Sequence, residues 1–161
     1  MADEGMIDAI DREERALALR GFDADDAWWL GCQLRDRAAH EGAPVAIDIR
    51  RAGTSLFRTL LPGAVEDNLH WSRRKIAIAM RFERSSYALH LWFRTRENMF
   101  ERFGLDRATY MDAGGAVPIR VAGTGVVGAV AISGLSQEAD HRYAVEALAA
   151  LHARQHAAAA V

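Results

Sequence analysis

Residues 120–141 read RVAGTGVVGAVAISGLSQEADH and contain the spacing G-x-G-x-x-G at Gly123, Gly125 and Gly128. In a dinucleotide-binding turn this spacing lies between a strand and a helix whose N-terminus faces the pyrophosphate. The preceding PIRV is typical of a strand, but the following VVGAVAIS is rich in β-branched residues and has no polar helical face. The pattern therefore favours a β-hairpin over an NAD site, with glycines at its turn. Gly128 falls inside the second strand, where a bulge or the close approach of another backbone is the usual reason for glycine.

The overall composition is that of an ordinary globular domain. The chain has 161 residues, of which 50% are hydrophobic and 26% charged, and we expect a single domain over 1–161. The formal net charge of −2 gives no electrostatic drive toward nucleic acid or an anionic membrane. The single cysteine, Cys32, and an acidic N-terminus unlike a signal peptide predict a cytoplasmic protein. We expect the alanine-rich tail, 157–161, to be frayed.

The apolar periodicity, together with the capping residues, predicts an α+β fold. Hairpins outnumber crossover connections, so we expect a five-stranded, mainly antiparallel sheet packed with helices. The predicted elements begin with a short helix from about Asp3, a strand in 16–22 and a helix over 23–42 between an Asp23 cap and Gly42. A hairpin that turns at Ala52-Gly53 follows, and then helices within 65–103 with breaks near 85–86 and 94–97. The glycine hairpin and a last helix capped by Ser136 complete the chain.

Three segments carry a resemblance to a known family: PVAIDIRRAGTSLFRTLLPGAVEDNLHWSRRK, RFERSSYALHL and GGAVPIRVAGTGVVGAVAISGLSQEADHRYAVEAL. Together they resemble the GlcG/HbpS-like, haem-degrading-domain family, and more narrowly its uncharacterised branch of small stand-alone proteins. The likeness covers about residues 15–152. It implies a five-stranded antiparallel sheet, homo-oligomers built from dimers, and haem as a cofactor. It supplies no settled catalytic residues for this branch.

The segment DNLHWSRRKIAIAMRF predicts a helix that is apolar on two sides. We expect one side to pack on the sheet and the other on a partner chain, as in a homo-oligomer. The two apolar sides consist of Leu69, Ile76 and Met80, and of Trp71, Ile78 and Phe82.

A basic stripe made of His70, Arg74 and Arg81 lies between these two sides. In one interpretation the arginines pair with carboxylates, such as Asp48 or Glu83, at the rim of an interface. In the other, they hold an anion, either the propionates of haem or a small organic acid. His70 is the best ligand candidate of the six histidines.

Two further candidates lie near the glycine hairpin. His141 begins the last helix, where its imidazole either pins the helix to a loop by a hydrogen bond or acts as a haem ligand or acid–base group. Gly114 and Gly115 expose backbone amides that suit a pocket for a small acid or a cofactor fragment. His152 and His156 have the spacing to share a metal but lack a third ligand, so we predict no metal site.

No known catalytic motif accompanies these candidates, and the catalytic residues remain undefined. Two classes of function stay open. The chain binds haem or another tetrapyrrole, with at most weak haem-degrading activity, or it is a non-enzymatic assembly or partner-binding protein. Neither class involves nucleic acid or a membrane.

Overall fold

The computed structural model describes residues 2–160. Within that range, six helices and four strands form one α+β arrangement. In chain order they are α1 (Ala2–Ala16), α2 (Ala24–Glu41), β1 (Ala46–Arg51), β2 (Thr54–Leu60), α3 (Glu66–Phe82), α4 (Ser86–Phe93), α5 (Met99–Arg102), β3 (Ala116–Val121), β4 (Gly125–Ser133) and α6 (Gln137–Ala159). No helix in this part of the chain is both long enough and apolar enough to cross a bilayer.

The glycine-rich stretch forms the predicted hairpin. Strands β3 and β4 are antiparallel, and Val121 pairs with Gly125 across the turn. Gly128 is required by a close backbone approach, because a Cβ built there would overlap the carbonyl oxygen of Arg50 in β1. The register also shifts between Ile119 and Arg120, which marks a bulge in β4 beside Gly128.

The sheet has the order β2-β1-β4-β3, and every neighbouring pair is antiparallel. The prediction of five strands is therefore wrong by one. The fifth strand, expected in 16–22, is reduced to a single parallel bridge between Leu19 and Val121. Leu19 N donates to Arg120 O (2.8 Å) and its carbonyl accepts from Ala122 N (2.9 Å). Of the six residues between the end of α1 at Ala16 and the N-cap of α2 at Asp23, this bridge involves Leu19 alone.

Helices cover both faces of the sheet. On one face α2 and α6 pack on the isoleucines and valines of β1, β3 and β4, and the predicted caps of α2 at Asp23 and Gly42 are confirmed. On the other face α3 packs through Ile76 and Ala79 on alanines of β3 and β4. These alanines are short, so they allow α3 to approach the sheet closely.

The second apolar side of α3 is covered by the same chain, not by a partner. Ile78 is fully buried and packs with Leu89 and Phe93 of α4. Phe100 of α5 belongs to the same cluster, and α1 packs on the far side of α4. The predicted partner contact through Ile78 and Phe82 is therefore wrong: α4 and α5 fold back over α3, at the breaks predicted in the 65–103 block.

The last helix extends through Ala159. The prediction that 157–161 frays stays a prediction, and Val161 lies outside the described residues. The assignment of 1–161 to a single GlcG/HbpS-like domain likewise stays a prediction.

Candidate functional site

A pocket of about 290 Å³ opens between the start of α3, the segment before β3 and the loop that joins β4 to α6. Polar side chains dominate its walls, together with one indole. The residues that matter for its chemistry are Asn68, Trp71, Lys75, Ser133, Gln137 and Asp140.

Lys75 and Asp140 form a buried ion pair in the wall of the pocket. The Nζ atom of Lys75 lies 3.1 Å from Asp140 Oδ2 and donates to the carbonyl oxygen of Ile132 at 3.2 Å. The two residues are only 3% and 2% exposed. An ammonium has three N–H donors, so one remains for a further acceptor beside the pocket.

Asp140 is held in place by the first turn of α6 and by the loop before it. Ser136 caps α6, as predicted, through its hydroxyl, which accepts from Ala139 N (3.2 Å). The Asp140 carboxylate accepts from Leu135 N at 3.0 Å and from Gly134 N at 3.3 Å. Together with the Lys75 ammonium these N–H groups give the carboxylate three donors.

Burial acts on both members of the pair in opposite directions. It lowers the pKa of Lys75 and raises the pKa of Asp140, and the attraction between the two charges opposes both shifts. Burial therefore favours the neutral amine and the neutral carboxylic acid, and the mutual attraction favours the ions. One proton transfer from Lys75 to Asp140 connects the two states.

Gly114 and Gly115, predicted as site residues, lie directly behind this pair. Gly115 has φ 137°, and a Cβ there would overlap the carbonyl oxygen of Ile132 and lie 2.8 Å from Lys75 Nζ. Any larger residue at position 115 would push against the ammonium. A Cβ on Gly114 would overlap the backbone carbonyl of Gln137. The two glycines bring the lysine and α6 together.

Two amide side chains at the pocket have their oxygens held by the backbone. Asn68 Oδ1 accepts from Val65 N (2.8 Å) at the start of α3, and Gln137 Oε1 accepts from Gly114 N (3.1 Å). Each amide therefore keeps its NH₂ group as its free donor. Trp71 is also oriented, because its Nε1 donates to Asp67 Oδ2 at 3.2 Å.

The basic stripe lies on another side of α3, away from the pair. His70 is exposed and its Nε2 lies 3.9 Å from Glu66 Oε1. Arg74 covers the ring of Trp71 at 4.8 Å, and Arg81 covers the ring of Tyr110 at 5.3 Å. Arg81 lies about two turns beyond Arg74 and does not reach the pocket.

The predicted pairing of these arginines with Asp48 or Glu83 is wrong. Arg74 donates to the carbonyl oxygen of Arg107 (3.0 Å), and Arg81 donates to that of Phe103 (2.6 Å). The carboxylate of Asp48 instead forms an ion pair with Arg50 (2.8 Å) and accepts a hydrogen bond from the hydroxyl of Ser55 (2.6 Å). The two arginines thus hold the segment around 103–107 against α3 by hydrogen bonds, and each arginine has further N–H groups that can donate.

His141 is sealed inside the protein and is not the hydrogen-bonding partner that we predicted. It is 2% exposed, and neither ring nitrogen has a hydrogen-bond partner among the described residues. Its nearest ring is that of Tyr87, with centroids 5.2 Å apart. Burial, with Arg142 nearby, lowers its pKa to about 4. The neutral imidazole is therefore the stable form.

Lys75 and Asp140 were not predicted as site residues from the sequence, although the composition contains one signal that indicates Lys75. Lys75 is the only lysine among the 20 lysine and arginine residues of the chain. An amine at one position in a chain that otherwise uses guanidinium groups indicates a role that arginine does not fill. Among the described residues no group of three or more His, Cys, Asp or Glu side chains is arranged to hold a metal ion.

Comparison with known sequences gives a consistent set of relatives. A family model described as haem degrading protein HbpS-like matches residues 22–149. A UPF0303 protein of Acidobacterium capsulatum is 44% identical over 146 residues, which cover 90% of this chain and 88% of that protein. A UPF0303 protein of Streptomyces coelicolor is 47% identical over 140 residues, covering 86% and 89%.

Comparison with solved structures gives the same fold. The crystal structure of Ybr137w protein has a TM-score of 0.85 and 33% identity, covering 92% of this chain and 88% of that one. The crystal structure of HbpS has a TM-score of 0.66 at 17% identity, covering 81% and 89%. The PduOC:Heme complex has a TM-score of 0.68 at 22% identity, covering 81% and 94%. The last two likenesses concern the fold alone.

Proposed function

Since the chain belongs to the HbpS-like haem-degrading protein family, we propose that it binds haem or another tetrapyrrole, with at most weak haem-degrading activity. A structural neighbour, PduOC, forms a complex with haem. This neighbour and the family support haem as the ligand class, and the exposed residues of α3 support a site on that helix.

The Lys75–Asp140 pocket does not fit haem. Protein ligands to haem iron are His, Cys, Met or Tyr side chains, and the walls of the pocket contain none of them. Its volume of about 290 Å³ also lies just below the roughly 300–1,000 Å³ that drug-sized ligands occupy. His141 is enclosed and has no open side for an iron atom.

The exposed first turns of α3 do fit a tetrapyrrole. The observation that carries the proposal is His70, whose side chain is 53% exposed, next to Trp71 and Arg74. His70 would supply a nitrogen ligand to the iron, Trp71 an aromatic surface, and the remaining N–H groups of Arg74 a partner for a propionate. Bound haem would supply an iron centre at which oxygen can be activated.

Haem titration of the purified protein tests this proposal, with absorbance and light scattering recorded on the same sample. We expect a saturable Soret shift with about one haem per chain. His70→Ala should weaken the affinity by at least ~10-fold, the order seen when support at a metal site is lost. His40→Ala removes another exposed histidine, on α2, and should leave the titration unchanged. A flat titration, or equal effects of the two variants, would overturn the proposal.

A homo-oligomer built from dimers is the second candidate, and one observation favours it. Strand β2 is an edge of the sheet, and next to it Trp28 is 64% exposed while packing on Phe57 of β2 at 5.6 Å. We propose that a second copy of the chain covers this edge, because an edge strand has unpaired backbone groups that the same strand of a second copy would pair with about a two-fold axis. The light scattering of the haem-free sample should give an even multiple of the chain mass. A monomer mass would contradict it.

A further inference from the structure

The buried amine of Lys75 has no part in the proposed haem site. The chain keeps one lysine against 19 arginines, and that lysine is 3% exposed beside a pocket. An isolated buried ammonium is costly, and the amine lies so close to Gly115 that a Cβ there would stand 2.8 Å from it. Lysine is also the basic side chain whose neutral form is accessible when it is buried, which is why lysines form imines with carbonyl compounds.

The neighbour of this amine is suited to move its proton. Asp140 Oδ2 lies 3.1 Å from Lys75 Nζ, within direct proton-transfer distance. Burial raises the pKa of Asp140 and lowers the pKa of Lys75, so desolvation favours transfer of the proton from nitrogen to oxygen. The backbone N–H groups of Gly134 and Leu135 keep the carboxyl group in place throughout.

The two amide side chains of the pocket offer N–H donors to a ligand that carries oxygen acceptors. Asn68 and Gln137 each have the amide oxygen held by a backbone N–H, so both present NH₂ groups as free donors. Two such donors suit a carboxylate, and the volume of about 290 Å³ is ample for a small organic acid. A ligand that uses both the amine and the amides has a carbonyl group next to a carboxylate.

We propose that this pocket binds a small 2-oxo acid as a reversible imine with Lys75. Asp140 takes a proton from the ammonium, and the freed amine adds to the ketone carbon, forming the C–N bond. The ketone oxygen then accepts one proton from the bonded nitrogen and one from Asp140, and leaves as water. One ammonium and one ketone become one protonated imine and one water, and no oxidant or reductant takes part. Asn68 and Gln137 hold the carboxylate.

Reductive trapping on the whole wild-type protein tests the proposal. The protein is incubated with pyruvate and cyanoborohydride at neutral pH, and the adducts are located by peptide mass mapping. Because the chain has one lysine, only Lys75 and the N-terminal amine can react. The same reaction in urea serves as the control, with the N-terminal amine as the internal standard.

A reactive Lys75 and a purely structural Lys75 predict opposite effects of folding on the labelling rate. A reactive pocket lysine should be labelled at least ~10-fold faster in the folded protein than in the urea-unfolded chain, because a positioned acid–base group accelerates the reaction. A lysine that serves only a structural ion pair is protected by burial and should be labelled more slowly when folded. Slower or equal labelling of the folded protein overturns the proposal.

The ligand class is tested with acetone and with Gln137→Glu. Acetone has the ketone without the carboxylate and should label Lys75 at least ~10-fold more slowly than pyruvate. Gln137→Glu keeps the oxygen that accepts from Gly114 N and removes the NH₂ donor, so it should slow labelling by pyruvate more than labelling by acetone and lower the ratio of the two rates. Equal labelling by both ketones in the wild-type protein would overturn the 2-oxo acid. None of these results depends on haem.

Discussion

Asp140 and His141 are neighbours in the sequence and equally buried, but the fold treats them in opposite ways. The Asp140 carboxylate receives donors from Lys75, Gly134 and Leu135. The His141 imidazole has no partner on either nitrogen among the described residues and faces the ring of Tyr87. Consecutive residues of a helix point about 100° apart, so α6 presents one to the polar pocket and the other to an apolar layer. Burial alone therefore does not determine whether a side chain is reactive. The hydrogen-bond and charge partners of the side chain determine it.

Glu14 of α1 stands between these extremes. One carboxylate oxygen accepts from Ser85 N at 3.3 Å, and the other is buried without a hydrogen-bond partner in the described part of the chain. Burial raises the pKa of Glu14 to about 7. Glu14 and His141 should respond to pH with opposite signs, while the Lys75–Asp140 pair should respond most strongly to the loss of one partner.

The largest effect is expected from Lys75→Met. Removing one member of a buried pair leaves the other charge uncompensated, which costs about 3–5 kcal/mol. We expect a loss of that order in the free energy of unfolding, measured by urea denaturation at pH 7. The double variant Lys75→Met/Asp140→Asn keeps an acceptor for Leu135 N without the charge and should recover part of the loss. A loss below about 1 kcal/mol in the single variant would show that the pair is not a compensated ion pair.

His141 should make the protein sensitive to acid. Its pKa falls from 6.5 in the unfolded chain to about 4 in the fold, so the unfolded state binds more protons between these values. The stability is complete above pH 6.5 and is lost as the pH falls toward 4, by up to about 3 kcal/mol, since one pKa unit corresponds to about 1.4 kcal/mol. His141→Leu should remove this dependence in denaturation curves recorded from pH 7 to 4. An unchanged slope in the variant would contradict the assignment.

Glu14 should give an effect as large as that of His141, with the opposite sign. Its pKa is raised from 4.5 to about 7, so its contribution to stability is complete below pH 4.5 and is lost as the pH rises through 7. Glu14→Gln should therefore be more stable than the wild-type protein at pH 8 by about 3 kcal/mol, with little difference at pH 5. Equal stabilities at pH 8 would mean that Glu14 is solvated when it ionises. Since the slopes of Glu14 and His141 overlap between pH 4.5 and 6.5, the single variants are needed to separate them.

Much of the fold could be predicted because its signals are local. The Asp23 cap and the Gly42 stop of α2 act through hydrogen bonds within the helix ends, and both are confirmed. The glycine hairpin follows from β-branched residues on both sides of a turn, and it is confirmed as β3 and β4. The strand expected in 16–22 shows the limit. Alanine and leucine do alternate over residues 16–19 of this segment, but only Leu19 pairs with a neighbouring strand.

Less of the candidate site could be predicted. Gly114 and Gly115 lie where backbone and side chains approach closely, as glycine often indicates, but their part in a binding site stays a prediction. His70, Arg74 and Arg81 do share a flank of α3, as the helical period requires, but the partners of the arginines are backbone carbonyls 22 and 33 residues away in sequence. Periodicity states which residues of one helix face the same way, and it carries no information on what lies opposite.

By itself the sequence determined the order of the elements, their caps and turns, the membership of the HbpS-like family, and the presence of one exceptional lysine. Only the tertiary structure decided that α4 and α5 cover the second side of α3, that the sheet has four strands, and that Lys75 meets Asp140 across 65 residues while His141 is left alone. Helix caps and turns are held by hydrogen bonds between near neighbours in the chain. The protonation and reactivity of a buried group depend instead on its distance to groups that only the complete fold brings together.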